Sequence, residues 1–364
     1  VSRITSSRKL DHIRVCLERA VECEIHSFDD LSFVHKALPE LDWSEIDCST
    51  SFLGRKISAP LMISAMTGGH PETKEINANL ALAAQEIGIA IGVGSQRAAI
   101  EDPTLEDTFS VVRDCAPDVP IVGNIGAVQL SRHGPEILDR VAEMIEADAV
   151  AIHLNYLQEC IQPEGEVEAC GVLEAIKSAA DSSYPLIVKE TGAGICYEEA
   201  SAIVKAGIGI IDVAGCGGTS WSAVEAFRAK DRGDLESQEI GELFRCWGMP
   251  TPVCLVECLA SGAEAISSGG VRSGLDVARS VALGASIAGV ALPLLAAATR
   301  GHESVASQLR SYIRALRITM LLTGSASISQ LQGAPLLILG RTREILEQRG
   351  FNTRRFSVRS ELSR

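Results

Sequence analysis

The sequence predicts an α/β protein built as a closed (β/α)8 (TIM) barrel, and three observations lead there. Short runs of β-branched and small apolar residues recur along the chain, each running into Gly, Ser, Thr or Asn. Stretches rich in Ala, Leu and Glu, with apolar residues three and four apart, lie between them. The runs also lack the apolar–polar alternation of a half-solvated sheet, so they suit parallel strands covered on both faces. An open doubly wound sheet is the alternative. Its mark is a G-x-G-x-x-G turn after the first strand, whereas here that strand ends in Met66-Thr67-Gly68-Gly69.

In chain order the strand runs are Pro60–Gly68, Ile89–Ser95, Pro120–Ala127, Ala149–Asn155, Pro185–Gly192, Gly209–Gly218, Glu264–Arg272 and Ser286–Leu292. Between them, Lys74–Glu86 sets Ile76, Leu80, Ala83 and Ala84 on one helical stripe, continued by Ile87. Pro135 opens a second helix, in which Ile137, Val141 and Ile145 repeat every four residues. Glu198–Lys205 and Gly274–Leu283 read the same way. Residues 1–58 form an N-terminal extension, 59–300 the barrel and 301–364 C-terminal helices and a tail, all one domain. Ser307–Leu322 is the longer of those helices, with Leu309, Ile313, Leu316 and Met320 on one side; Arg341–Gln348 is a charged one. From about Asn352 the chain is arginine-rich and poor in apolar residues, which predicts a frayed end. Arg228–Gln238 is the longest polar insertion and is expected to be a mobile loop over the catalytic face.

Composition narrows the function. With 364 residues, 46% hydrophobic and 22% charged, the chain can bury a large core and is not disordered. A formal charge of −14 argues against coating nucleic acid or anionic lipid, so any anionic ligand must be gripped locally. Mean hydropathy is +0.17, yet the apolar run Ser286–Thr299 contains Pro293 and falls short of the roughly 20 residues of a membrane span. No secretory leader is apparent, and the expectation is a cytoplasmic protein. The 11 cysteines include no C-x-x-C pair and read as reduced apolar fillers.

In such a barrel, chemistry gathers at the C-terminal ends of the strands. Those ends carry Thr67, Ser95-Gln96-Arg97, Asn124, His153, Asn155, Gln158, Glu159, Lys189, Thr219 and Arg272. Gly269-Gly270 with Val271-Arg272-Ser273 before a helix, Ala291-Leu292 after the last strand, and Gly215–Thr219 suit a phosphate at strands six to eight. Lys189 ends an apolar strand and needs an anionic partner: a flavin edge, a substrate anion, or Glu190 or Asp212. A Schiff-base role for this lysine remains open at this point. Glu159 suits Mg²⁺ that also touches phosphate oxygens. Arg8-Lys9-x-Asp11-His12 is a candidate diphosphate clamp.

These residues together resemble the type 2, flavin-dependent isopentenyl diphosphate isomerases. RKLDHI at Arg8–Ile13, PLMISAMTGG at Pro60–Gly69, GSQR at Gly94–Arg97 and NIGA at Asn124–Ala127 carry the likeness. So do HLNYLQE at His153–Glu159, PEGE at Pro163–Glu166, VKETGAGI from Val188, DVAGCGGTSW at Asp212–Trp221 and SGGVRSGLD at Ser268–Asp276. The resemblance implies FMN, Mg²⁺, and NADPH as the reductant of FMN, in a homotetramer or homooctamer. It implies FMN contacts at Ala65, Met66, Thr67, Ser95, Asn124, Lys189 and Thr219, with Gly269, Gly270, Val271, Arg272, Ala291 and Leu292 around the phosphate. Arg8, Lys9, His12, Ser95, Gln96, Arg97, His153, Asn155 and Gln158 would hold isopentenyl or dimethylallyl diphosphate, with Glu159 on the metal. Gln158, Glu225 and His153 are the candidates for proton handling in the allylic shift. Ala214 departs from the family pattern, where a serine can stand near the flavin. A 2-hydroxy acid oxidase-type FMN barrel is the alternative reading.

Overall fold

Each of the eight apolar runs becomes a strand of one closed parallel barrel. Leu61–Ile63, Ala90–Gly92, Ile121–Gly126, Ala149–His153, Leu186–Lys189, Ile210–Asp212, Glu264–Ser267 and Ile287–Val290 pair in sequence order, and the last closes on the first. The structure is a computed structural model describing residues 2–359, with side chains from residue 8 onward. Regular strand ends before the apolar run does, because the polar tail of each run bends out of the ladder into the strand-end loops.

Inside the barrel, Met62, Ala90, Val122, Ala149, Ala151, Ile187, Ile266 and Ile287 pack into a dry plug. Phe52 and Ile57 join it from the hairpin Thr50–Phe52/Arg55–Ile57, which thereby stops the N-terminal mouth. The opposite mouth is left for chemistry. A second, larger shell buries the helices against the outer strand faces. Ile76, Leu80, Ala83 and Ala84 of Thr73–Ile87 face inward as their spacing requires. Glu136–Ile145 starts right after Pro135 and buries Ile137, Val141 and Ile145. Gly274–Leu283 packs on His302–Thr323 so closely that a Cβ on Gly274 would lie 1.8 Å from the Tyr312 carbonyl oxygen, so only glycine fits there.

The N-terminal extension is structural as well as functional. Its helix, Ser2–Glu18, sets Val15 against Val21 and Val224. Beyond the helix, the Val21 carbonyl accepts from Ser220 N (2.8 Å) and Cys23 N donates to the Gly218 carbonyl (2.9 Å). Leu31–Phe33 then pairs antiparallel with Leu336–Ile338, tying both ends of the chain together.

Three expectations need correction. Arg228–Gln238 is not a loop: Trp221–Arg232 continues through it as helix, and Leu235–Leu243 follows after a break at Gly233, where φ is 76°. Charge density suggested solvent, but Arg228 is buried and its charge is met by Glu225 and Glu164. The tail is not frayed up to residue 359. Arg354–Ser357 is helical, Phe356 is buried, and Arg355 and Arg359 lie over its ring at 4.7 and 5.0 Å. Residues 360–364 lie outside the described residues. Cys48, Cys254 and Cys258 are buried fillers as expected, but Cys160, Cys170 and Cys246 are exposed. Among the described residues no helix is long and apolar enough to cross a membrane.

Candidate active site

A cavity of about 210 Å³ opens at the C-terminal ends of the strands, under the N-terminal helix. The loop after the first strand brings Ser64, Ala65, Met66 and Thr67 to it. The hydroxyls of Ser64 and Thr67 are buried and have no hydrogen-bond partner among the described residues. Two orphaned donors on a cavity wall are what a polar ligand would satisfy. Ser95, Asn124, Lys189, Thr219, Ala291 and Leu292 reach the cavity as the sequence suggests. Ala214 also lines it, in a left-handed conformation (φ 36°) that strains a residue with a Cβ.

At strands six to eight the backbone forms a cradle. Gly269 (φ 95°) and Gly270 (φ 81°) sit so close to the preceding loop that their Cβ atoms would lie 2.1 Å from the Gly215 oxygen and 2.5 Å from the Gly217 oxygen. Ser273 caps the following helix, its Oγ accepting from Asp276 N. Arg272 reaches the cavity while pairing with Glu22 of the extension. Val271 turns its side chain into the core, so only its backbone can serve a ligand. Glycines at the barrel's phosphate corner, unpartnered hydroxyls after the first strand and a lysine at the end of the fifth suit a phosphate-bearing ligand with polar edges, such as FMN.

Lys189 resolves one sequence ambiguity. Its Nζ donates to the Glu190 carbonyl oxygen at 2.7 Å, while the Glu190 carboxylate turns away to accept the backbone N–H groups of Thr191, Gly192, Ala193 and Gly194. The nearby acid is Asp212, whose carboxyl is pushed up by burial against the opposing pull of Lys189 and a 2.5 Å hydrogen bond from Ser268.

Gln96 is a correction. It is fully buried and does not line the cavity: its Nε2 donates to the Val141 carbonyl (2.8 Å) and its Oε1 accepts from Asn124 N (2.9 Å). It braces Asn124, whose Nδ2 donates to the Val93 carbonyl at 3.1 Å, leaving Oδ1 to face His153 Nδ1 at 2.9 Å. That amide orientation places the His153 proton on Nδ1 and leaves Nε2 as an acceptor. Burial, then Lys189 and Lys9, hold His153 down at about 3, so the ring is neutral.

The other end of the cavity is cationic. Arg8 and Lys9 come from the N-terminal helix, and Arg97 from the loop after the second strand. Burial, followed by the charges of Arg8 and Arg97, lowers Lys9 to about 7. Arg97 is aimed by a bidentate contact with Glu166 (2.8 and 3.2 Å) and by Glu101 at 2.7 Å. Glu159 lies beside this group, accepting from Asn155 Nδ2 (2.8 Å) and Glu166 N (2.8 Å), and from Gln162. Among the described residues no cluster of three His, Cys, Asp or Glu could cage a metal alone. One carboxylate fits only an ion that takes its remaining ligands from water and a bound anion, which is the habit of Mg²⁺.

Glu225 sits one contact behind the cavity wall. Its Oε1 accepts from His12 Nε2 at 2.8 Å and from Gln158 Nε2 at 3.3 Å, and its Oε2 from Arg228 at 2.5 Å. Burial would raise it, but the His12 hydrogen bond and Arg228 outweigh that and hold it at about 2. Burial lowers His12 against the opposing pull of the Glu225 carboxylate that its Nε2 faces. The Trp221 ring packs edge-on against His12 at 5.1 Å.

Sequence reasoning missed Arg228 and Glu164 as organisers. Arg228 donates to Glu164 at 3.0 Å, and Glu164 lies 3.9 Å from Arg8, so one charge chain links the N-terminal helix to Glu225. Glu166 does the same for Arg97. Their signal was the PEGE segment, which spacing alone does not place in the site.

The chain matches the FMN-dependent dehydrogenase family over residues 11–108 and 140–337. It is 63% identical over 353 residues to a Methanothrix thermoacetophila protein named isopentenyl-diphosphate delta-isomerase, covering 97% of this chain and 99% of that one. Proteins of the same name from Methanosarcina mazei and Archaeoglobus fulgidus are 49% and 48% identical, covering 97% and 95% of this chain and 98% and 99% of their own. Among solved structures, a mandelate oxidase mutant with the C4a-OH-FMN adduct superposes with a TM-score of 0.61 at 19% identity, covering 90% of this chain and 95% of that one. A putative lactate oxidase of Pediococcus acidilactici also gives 0.61, at 18% identity, over 86% and 84% of the two chains. These two likenesses speak to the barrel fold alone. Similarity along nearly the whole length places the chain in the FMN-dependent dehydrogenase family and, within it, among the type 2 isopentenyl-diphosphate delta-isomerases.

Proposed function

We propose that this protein interconverts isopentenyl and dimethylallyl diphosphate by an allylic proton shift, using reduced FMN and Mg²⁺, with NADPH serving only to reduce the flavin. The carrying observation is the division of one cavity into a glycine-cradled half and a half lined by Arg8, Lys9 and Arg97 together with Glu159, whose charge acts on Lys9. The family names of the relatives agree with that reading.

Gly269, Gly270 and the backbone of Val271 would take the FMN phosphate, and Ser64, Thr67 and Lys189 would hold polar edges of its ring system. Reduced FMN supplies an electron-rich surface that stabilises positive charge and can exchange protons. Arg8, Lys9 and Arg97 would grip the diphosphate, and Glu159 the Mg²⁺ bridging to it, so binding energy far from the alkene positions the reacting carbons. A proton is added at the terminal methylene, and one leaves the carbon next to that bearing the diphosphate. Between those events the hydrocarbon is cationic and has no oxygen to carry the charge. Gln158 and the Glu225–His12 pair border that region, and the ionised Glu225 offers a fixed negative field that favours it. Neutral His153 adds no positive charge beside a cation.

The test is anaerobic incubation with isopentenyl diphosphate, Mg²⁺ and FMN, with and without dithionite or NADPH. Dimethylallyl diphosphate formed only with reduced flavin, in many turnovers per NADPH consumed, supports the isomerase. Bound, reducible FMN without product, but with turnover of a 2-hydroxy acid, favours the oxidase-type reading instead. Against that second reading, the cavity's histidines are His12 and His153, from the N-terminal helix and the fourth strand, with none at the late strand ends among the described residues. His302 begins a helix beyond them.

A further inference from the structure

Three cysteines from distant parts of the chain meet where the N-terminal extension crosses the sixth-strand loop. Cys23 Sγ and Cys216 Sγ lie 3.0 Å apart, 193 residues apart in sequence, and both side chains are buried. Cys246, between the helix Leu235–Leu243 and the helix Thr251–Ala260, is exposed; its backbone carbonyl accepts from Cys216 Sγ at 3.7 Å, and its thiol lies beside Cys23. The backbone holds this meeting in place from two sides. Cys23 N donates to the Gly218 carbonyl at 2.9 Å, Cys216 N to the Met249 carbonyl at 2.8 Å, and Glu22 bridges to Thr219.

The geometry points to a reversible disulfide between Cys23 and Cys216, entered through Cys246, that staples the substrate-binding N-terminal segment to the strand-end loop. Apolar filling does not require three cysteines from distant segments gathered at one place, with one of them exposed. Bond formation draws the two sulfurs together by only about 1 Å, which side-chain rotation absorbs. Two thiols and one low-molecular-weight disulfide, RSSR, give one protein disulfide and two RSH. Cys246, the exposed member of the cluster, attacks RSSR after giving its proton to solvent, forming a mixed disulfide and releasing the first RSH. The Cys23 sulfur then displaces the second RSH and bonds to Cys246. Cys216 finally attacks Cys23 and returns Cys246 as a free thiol. The cluster suits that last step: a hydrogen bond from Cys23 lowers Cys216 below the ordinary thiol range, and the same contact raises Cys23. Thiolate character is thus concentrated on the final attacker.

The staple acts on ligand capture because Cys23 follows the helix carrying Arg8, Lys9 and His12, while Cys216 precedes Thr219 on the cavity wall. Closing so long a loop restricts the unfolded chain and resists peeling of the extension from the barrel.

Oxidised glutathione is the probe, applied to the full-length protein and followed by non-reducing peptide mapping. The expected result is a Cys23–Cys216 linked peptide that dithiothreitol releases, a Tm raised by several degrees over the reduced protein, and slower proteolytic removal of the N-terminal segment. Cys246→Ser is expected to slow appearance of the link about tenfold or more while leaving its identity unchanged; Cys216→Ser is expected to abolish both the link and the Tm rise. Glutathione adducts on Cys246, Cys160 and Cys170 with no Cys23–Cys216 peptide would overturn the proposal. So would Cys23–Cys246 as the stable product.

Discussion

At the scale of single residues, the site is a set of charges held in states that water would not allow. Lys9 is the most informative, because burial beside Arg8 and Arg97 brings it down to about 7. Below that pH the free protein already carries the cation; above it the amine is neutral and an incoming diphosphate must recruit a proton. Affinity for the diphosphate is therefore expected to weaken as pH rises past about 7, by up to about tenfold per unit until the bound-state pKa is reached. Lys9→Arg keeps the charge and should flatten that dependence, which calorimetric titration at several pH values will read. Arg228 offers a second test. It is the buried cation that meets both Glu225 and Glu164. Arg228→Ala leaves the buried Glu225 with only His12 and Gln158, and Glu164 with only the more distant Arg8, and a loss of about 3 kcal/mol in urea unfolding is expected. An unchanged midpoint would show that water replaces the guanidinium.

At the scale of elements, short strands and close glycine contacts decide what the loops can hold. Gly270 has φ 81° and no room for a Cβ beside the Gly217 oxygen. Gly270→Ala should therefore displace the cradle and release FMN, seen as loss of yellow colour on gel filtration; full retention would place the phosphate elsewhere. Ser273 is a separate lever, because it caps the helix beside that cradle without reaching the core. Ser273→Ala is expected to cost about 1 kcal/mol of stability, read as a lowered Tm. The helix Trp221–Arg232 shows why polar composition misleads locally: the arginine that suggested a solvated loop is the one that holds Glu225 in place.

At the scale of the whole molecule, a chain of net charge −14 gathers the cations that line its cavity from segments far apart in sequence. Arg8 and Lys9 come from the extension and Arg97 from the start of the short helix Arg97–Glu101 after the second strand, so the barrel alone would carry only part of the proposed clamp. Deleting residues 1–14 should leave the barrel folded, because the plug lies outside the deleted segment, whose described residues add only the partly buried Ile13 to the apolar helical shell. FMN should stay bound while turnover falls by at least about 100-fold. Unfolding of the truncated chain, seen by circular dichroism, would show that the extension is needed for stability and not only for the ligand.

The order of eight strands, the stripe of Ile76, Leu80 and Ala84, and the position of the glycine corner are legible in sequence, because period and punctuation are local properties of the chain. The strand-end residues Thr67, Asn124, His153 and Lys189 were legible for the same reason: the barrel rule converts a place in sequence into a place in space. What only the tertiary structure decided is which of them face the cavity and in what charge state. Gln96 and Arg97 are neighbours in sequence, yet one braces Asn124 from behind and the other meets the cations. His153 is neutral because burial, Lys189 and Lys9 disfavour its cation, while Asn124, 29 residues away, orients the ring; His12 is tied to Glu225, 213 residues away. Such long-range encounters leave no periodicity in the chain, and desolvation exists only once the chain has closed around the group.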